Sequence, residues 1–398
     1  MEAYVMESIK DRVAIIGMGC TKFGEFWDKS PYDLIVDACY EAFEDAGIEP
    51  KDIQAAWFAS LVSGFTGSRL SNALKLDYIP ITRVENFCSG GIHALANASY
   101  AVASGVCDIA LACGVEKLKD RASGFAMMNP EPIDSSKVIP ETPPANMFAH
   151  MAIRYFHEHG WDLDEARKTL AQISVKSHHN GTLSPKAHLK REITVESVLK
   201  APMIVHPLGL FDCCGLSDGS AAAIVVRADM AKDFRDDYVL AKAFGCCSGS
   251  GQAVLQDDYD FLHIQENIEA GKRAYEQADI KDPREEIDLA QVHDCFSIHE
   301  LMLYEELGFS PKGRAREDVE AGTFALDGEL PVNTDGGLKC FGHPLSASGL
   351  RMTYEIYKQL QEKAGPRQVK NARTGLAHNA GGMIGSLNAA VGIYGRND

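Results

Sequence analysis

The sequence has no run of about 18 apolar residues, so no helix able to span a bilayer is expected. Basic residues are the scarcer charge. The 39 Lys and Arg stand against 56 Asp and Glu, for a net charge of −17. Nucleic acid and anionic membrane both repel such a surface, and neither is expected as a partner. No Cys-x-x-Cys occurs among the eleven cysteines, so no metal site is expected in this chain. The stretch MEAYVMESIKDRVAIIGMG lacks the apolar core of a signal peptide, and YGRND is not a receptor-read tail. Many cysteines without a secretory signal point to a reducing cytoplasm.

What is present is enough chain for two core units, 398 residues with 35 glycines. Arg12–Gly17, Ala55–Ala59, Cys107–Gly114, Ser217–Arg227, Val239–Gly245 and Ile287–His293 read as apolar or β-branched strands. Residues 31–46, 89–104, 265–278 and 298–307 carry helical spacing, and Pro31 suits a first turn. Strand, helix, strand in this order predicts right-handed crossovers and a mostly parallel sheet. The stretch 115–215 breaks the rhythm with a proline-rich segment (130–144), helical pieces (145–159 and 164–179) and the basic PKAHLKREI. It reads as an insertion over one end of the sheet. Residues 333–360 repeat the pattern of 85–103, and 375–382 pair with 110–114, which suggests an internal duplication.

Four groups could carry chemistry, all at strand-to-helix junctions. In VENFCSGG, Cys88 precedes a helix whose free N–H groups should stabilise a thiolate and lower its pKa. Gly90 and Gly91 would let a substrate approach the backbone. In GHP, His343 sits at another helix start, where a cation is disfavoured, so its imidazole should be neutral and able to take a proton. In HDCF, His293 and Cys295 point to one side of an extended chain, while Asp294 faces a structural partner. In HNAGG, residues 378–382, glycines present bare N–H groups. His178 and His179 read as a solvated helix face.

Together VENFCSGG, HDCF, GHP and HNAGG, in that order over the whole chain, resemble the thiolases, most nearly the sterol-carrier-type and archaeal-type branch. The resemblance implies an α/β fold of two similar βαβαβαββ halves in five layers (αβαβα) with an inserted loop domain. The halves would be 1–115 with 216–236, and 237–398; the insertion would be 116–215. It implies that Cys88 is the acylated nucleophile and His343 the base that activates it. The slot that holds a second cysteine in the common pattern reads Asn379-Ala380-Gly381, so Cys295 would supply the proton transfer. His293 would bind the thioester oxygen, and the backbone N–H groups of Cys88 and Gly381 would form a second oxyanion hole. The implied activity is acyl transfer: CoA-dependent cleavage of a 3-oxoacyl-CoA, or the reverse Claisen condensation, with coenzyme A as substrate. Lys186, Lys190 and Arg191 would meet CoA phosphates, a solvated basic patch being the equal alternative. A homodimer is implied, as is a small zinc-ribbon/OB-fold partner of the kind found with benzoylsuccinyl-CoA thiolase.

Two other readings compete. A β-ketoacyl synthase-like enzyme could use His343, His293 and Asn379, but Cys295 has no task in decarboxylation. A non-catalytic acyl-CoA-binding subunit would not need all four positions filled.

Overall fold

The computed structural model describes residues 8–120, 144–252 and 259–397; most of the proline-rich stretch lies outside them. The first half runs β1 (Val13–Cys20), α1 (Pro31–Ala46), β2 (Ala55–Ala59), α2 (Ser68–Leu74), β3 (Ile81–Val84), α3 (Gly90–Ala103) and β4 (Ile109–Lys117). Then come α4 (Pro144–Glu158), α5 (Leu163–Leu183), α6 (Val195–Leu199) and the small ladder β5 (Met203–Val205) with β6 (Leu208–Gly209). The chain re-enters as β7 (Asp218–Arg227). The second half is β8 (Val239–Ser248), α7 (Gln265–Ala278), α8 (Pro283–Glu286), β9 (Leu289–Gln291) and α9 (Ser297–Glu306). It ends with α10 (Ala315–Ala321), α11 (Gly337–Cys340), α12 (Leu345–Leu360), β10 (Thr374–Gly381) and β11 (Asn388–Gly395).

Local signals explain the element ends. Ser30 caps α1 and forms a reciprocal box with Asp33, Pro31 opens the first turn, and Gly47 closes the helix at φ 70°.

The nine main strands form one sheet in the order β3-β2-β4-β7-β1-β8-β11-β10-β9. The duplication is visible in that order. The first half reads β3-β2-β4-β7-β1; the second reads outward from β8 as β11, β10, β9, with Val332 bridging beyond β9. The opening strands of the halves, β1 and β8, meet antiparallel at the centre through Val13–Ala241 and Ile15–Val239.

The sheet is mixed, which corrects the mostly parallel expectation. β2 is parallel to β3 and β4, and β9 to β10, but β7 runs antiparallel between β4 and β1, and β11 antiparallel between β10 and β8. Each half therefore ends in a returning strand that wedges in beside its predecessor.

Side chains alternate along the strands, as the pleat requires. Ala14, Ile16, Phe58, Leu111 and Ile224 pack under α1 and α2; Val13, Ile15, Ala112 and Ala223 face the other way. That second face meets α3 and α12, which lie on each other between the half-sheets and touch strands of both. α7 covers β8 and β11 on the far side. The layers therefore run helix, sheet, helix, sheet, helix, and the two central helices carry Cys88 and His343 at their N-terminal ends.

Candidate active site

Cys88 lies between β3 and α3, on a turn where Phe87 takes the left-handed conformation at φ 50°. That turn consumes the nearest helix donors. The Ser89 N–H bonds Asn86 O at 3.2 Å and the Gly90 N–H bonds Phe87 O at 3.2 Å. Cys88 keeps some solvent access, yet burial pushes its thiol above the ordinary range, and the neighbouring Cys214 adds to the rise. The expected lowering by the helix end is not found, because desolvation outweighs it. The resting side chain is a thiol.

His343 stands beside it. His343 Nε2 stands 3.2 Å from Cys88 Sγ, and His343 Nδ1 stands 2.8 Å from Ser348 Oγ. In the tautomer whose Nδ1–H donates to the hydroxyl, Nε2 is bare and faces the thiol. Burial, with help from His293 and the buried Arg351, drives the His343 pKa well below its usual value. The imidazole is neutral and able to accept the proton.

The role expected of the glycines needs correction. A Cβ on Gly91 would lie 2.8 Å from Ser346 O and 3.0 Å from Leu350 N, both on α12. Gly91 therefore lets two helix backbones touch; it does not open the thiol to substrate. Gly90 has more room, with Ser346 Oγ 3.6 Å from such a Cβ.

His293 and Cys295 follow β9 and are both buried. His293 Nδ1 is held against β10, 3.0 Å from Asn379 Oδ1 and 3.3 Å from the Ala380 N–H. Burial pushes its pKa down to about 4. Burial raises the Cys295 thiol well above its usual range, as do Cys214, Cys88 and Asp294 nearby. Asp294 turns away and accepts from the Leu338 N–H of α11 at 2.6 Å, the structural partner the sequence suggested.

The structure brings these groups to one point. The side-chain donor atoms of Cys88, His293 and His343 lie within 4.8 Å of one another, as do those of His293, Cys295 and His299. Each set is one that a thiophilic cation such as Zn²⁺ would accept. Gly381 closes the cluster: a Cβ there would lie 2.5 Å from Cys88 N and 2.6 Å from Phe87 Cβ. Any side chain at 381 would displace the nucleophile's backbone.

The basic segment is not gathered in the same way. Lys186 Nζ is held by Glu41, at 2.5 and 2.6 Å from its carboxylate oxygens, so its charge is already paired. Lys190 Nζ donates to Pro185 O at 2.6 Å and Arg191 is exposed. His178, expected on a solvated face, is buried with Nδ1 2.8 Å from Arg191 O, while His179 is exposed beside Glu192.

Residues 13–229 match the family model "Thiolase, N-terminal domain", and residues 248–396 match "Thiolase C-terminal domain-like". The chain belongs to the thiolase family. An acetyl-CoA acetyltransferase from Methanothermobacter thermautotrophicus is 39% identical over 397 residues, covering 96% of this chain and 99% of the relative. The benzoylsuccinyl-CoA thiolase subunit BbsB of Thauera aromatica is 29% identical, over 94% of this chain and 96% of its own. In fold, the chain is similar to the solved Ltp2-ChsH2(DUF35) aldolase, with a TM-score of 0.83 at 24% identity, covering 98% and 99% of the two chains. Family membership, together with a thiol and an imidazole nitrogen 3.2 Å apart, makes this chain a thiolase, an acyltransferase.

Several participants carry no signal in the motifs. Ser348 is five residues past His343, around a helix start. His299 lies one helical turn beyond Cys295, with Nδ1 3.6 Å from its Sγ. Cys214 donates its backbone N–H to Cys295 O at 2.9 Å from the far side of the insertion.

Proposed function

We propose that this thiolase cleaves a 3-oxoacyl-CoA with free CoA, and runs the Claisen condensation in reverse, through an acyl group on Cys88. The observation that carries the reading is the 3.2 Å contact between Cys88 Sγ and a neutral His343. His343 Nε2 takes the Cys88 proton as sulfur attacks the 3-keto carbon, and the carbon–carbon bond then breaks to leave a thioester enolate. In the tautomer whose Nδ1 accepts the Ala380 N–H at 3.3 Å, His293 carries its proton on Nε2 and donates it to the enolate oxygen. The backbone N–H groups of Cys88 and Gly381 receive the oxyanion formed on the acylated sulfur's carbon. Cys295 gives its proton to the enolate carbon and then takes one from the incoming CoA thiol. The CoA sulfur then takes the acyl group as acyl-CoA, and the Cys88 sulfur, released as thiolate, recovers its proton from His343.

Acetyl is the acyl group we assign, supported by the relative named acetyl-CoA acetyltransferase at 39% identity. CoA phosphates are assigned to Lys190 and Arg191, with Lys186 held back by Glu41. We further propose a cytoplasmic homodimer. Among the described residues no helix is long and apolar enough to cross a membrane, and β3 leaves an open sheet edge flanked by exposed Phe65 and Tyr78. A small partner subunit is proposed because one relative is named as a subunit and one solved structure pairs Ltp2 with ChsH2(DUF35). A condensing synthase would leave Cys295 idle, which disfavours it.

The test is acetoacetyl-CoA thiolysis with free CoA, followed by mass spectrometry of the enzyme. Acetylation of Cys88, lost in C88A together with turnover, supports the reading. Acetyl-CoA formation that survives C88A sinks it.

A further inference from the structure

Beyond Cys295 lies a buried chain of polar side chains that the acyl-transfer scheme leaves unexplained. His299 Nδ1 stands 3.6 Å from Cys295 Sγ, within reach for sulfur, and His299 is 1% exposed. Its other nitrogen, Nε2, lies 3.2 Å from Asn267 Nδ2 on α7. The same Asn267 amino group is 2.7 Å from Glu306 Oε2, and Asn267 Oδ1 is 3.0 Å from His378 Nε2 on β10.

With the Asn267 amide oriented as the structure places it, its amino group toward Glu306, the donors and acceptors of this chain admit one arrangement. The Asn267 amino group has two hydrogens; one goes to the Glu306 carboxyl oxygen and the other to His299 Nε2. Glu306 is held for this task, since its second oxygen accepts from the Ile264 N–H at 2.7 Å. His378 donates Nε2–H to the Asn267 oxygen, which fixes the amide's orientation. With Nε2 accepting, the proton of His299 must sit on Nδ1, the nitrogen that faces Cys295. His299 therefore points an N–H at the sulfur.

We propose that His299, with its tautomer fixed by Asn267, is a positioning residue that donates a hydrogen bond to Cys295 and stabilises the thiolate formed when Cys295 gives up its proton. No proton leaves His299. When Cys295 S–H delivers its proton to the enolate carbon, negative charge is left on Sγ, and Nδ1–H is the donor that receives it. The charge disappears when Sγ takes the proton of the CoA thiol. Such a donor is needed because the sulfur is buried beside the Cys88 and Cys214 sulfurs and the Asp294 carboxyl, all of which oppose a thiolate there. The imidazole stays neutral throughout, since burial and the facing His293 and His378 hold its pKa well below the usual value. Its contribution is a fixed dipole.

The inference rests on the reading of Cys295 as the proton carrier, and the experiment separates the two. Acetoacetyl-CoA thiolysis is measured in C295S, H299L and N267D, alongside the rate at which iodoacetamide alkylates Cys88 by peptide mass spectrometry. N267D is nearly isosteric but replaces the donor facing His299 Nε2 with an acceptor, which drives the His299 proton away from Cys295. The expected result is loss of turnover in C295S and a fall of about 10- to 100-fold in H299L and N267D, the effect of one hydrogen bond to a charged group. Cys88 alkylation should stay within about twofold of wild type in all three, a readout that a collapsed site would not preserve. H299N, which can still offer an N–H, should recover part of the rate. If C295S is inactive while H299L and N267D keep wild-type turnover, the inference is overturned and the Cys295 reading stands. If C295S keeps turnover, both fall. Should H299L lose Cys88 alkylation as well, N267D decides.

Discussion

Gly91 and Gly349 face each other where α3 crosses α12, so close that a Cβ on Gly349 would lie 3.5 Å from the Gly91 carbonyl carbon. The same Cβ would sit 2.7 Å from Ile92 Cγ1 and 2.8 Å from Ile92 N. This crossing sets the distance between Cys88, just before α3, and His343, just before α12. G349A should therefore separate Cys88 from His343 as well as strain the core. We expect a stability loss of about 1–3 kcal/mol and a fall in turnover of about 100-fold, as misplacement by an ångström produces. Urea unfolding and thiolysis check the two effects. A stable G349A with wild-type turnover would contradict this account of the crossing.

How much of this was legible in the sequence depends on the range of the interaction involved. α1 was readable to its ends because Pro31 and its apolar spacing act within a few positions. β3 and β11 were not read, but the strands that were, β1, β2, β4, β7, β8 and β9, were placed to within a few residues for the same reason. Their pairing was not: β7 returns antiparallel beside β4 after an insertion, and nothing in its own residues says which neighbours it takes. Cys88, His293, Cys295 and His343, the side chains that the structure gathers, were legible, since each sits at a junction that strand and helix patterns reveal. Their protonation was only half legible. The neutral state of His343 followed from its place at a helix start. The raised Cys88 thiol did not, because burial is set by the whole packed interior and here outweighs the local helix end. Ser348, His299 and Asn267 were hidden because their partners are brought together by helix geometry or by tertiary packing.

Gly381 offers a second test of backbone placement. An alanine there would put its Cβ 2.5 Å from Cys88 N, the N–H proposed to stabilise the oxyanion. We expect G381A to lower kcat by about 10² to 10³, the effect of losing one oxyanion donor. Iodoacetamide alkylation of Cys88 should persist, because that reaction forms no oxyanion. Equal losses in kcat and alkylation would show that the variant disrupts Cys88 itself.

Ser348 should matter through His343 alone. Its Oγ lies 2.8 Å from Nδ1 and, by accepting the Nδ1–H, would keep Nε2 bare toward the thiol. Removing one such hydrogen bond, in S348A, should slow both turnover and Cys88 alkylation by roughly five- to tenfold. S348T keeps the hydroxyl and should recover much of the rate. If S348A alkylates Cys88 at the wild-type rate, the serine does not orient the base.

The buried imidazoles also make stability depend on pH, and His93 on α3 isolates the effect. Burial pushes its pKa down to about 4, and its Nε2 has no hydrogen-bond partner among the described residues. In the unfolded chain a histidine titrates near 6.5. Between those values the unfolded chain binds the proton and the folded chain does not, so the His93 contribution is present above about pH 6.5 and is lost as the pH falls toward 4. Total stability mixes this with opposite trends, because burial raises Asp294 to about 7 and Glu306 to about 8. The difference between H93Q and wild type removes them. Relative to its value at pH 7.5, that difference should move in favour of H93Q by about 1–2 kcal/mol at pH 5. Urea midpoints at the two pH values measure it, and a difference that does not change with pH would mean that His93 protonates as readily folded as unfolded.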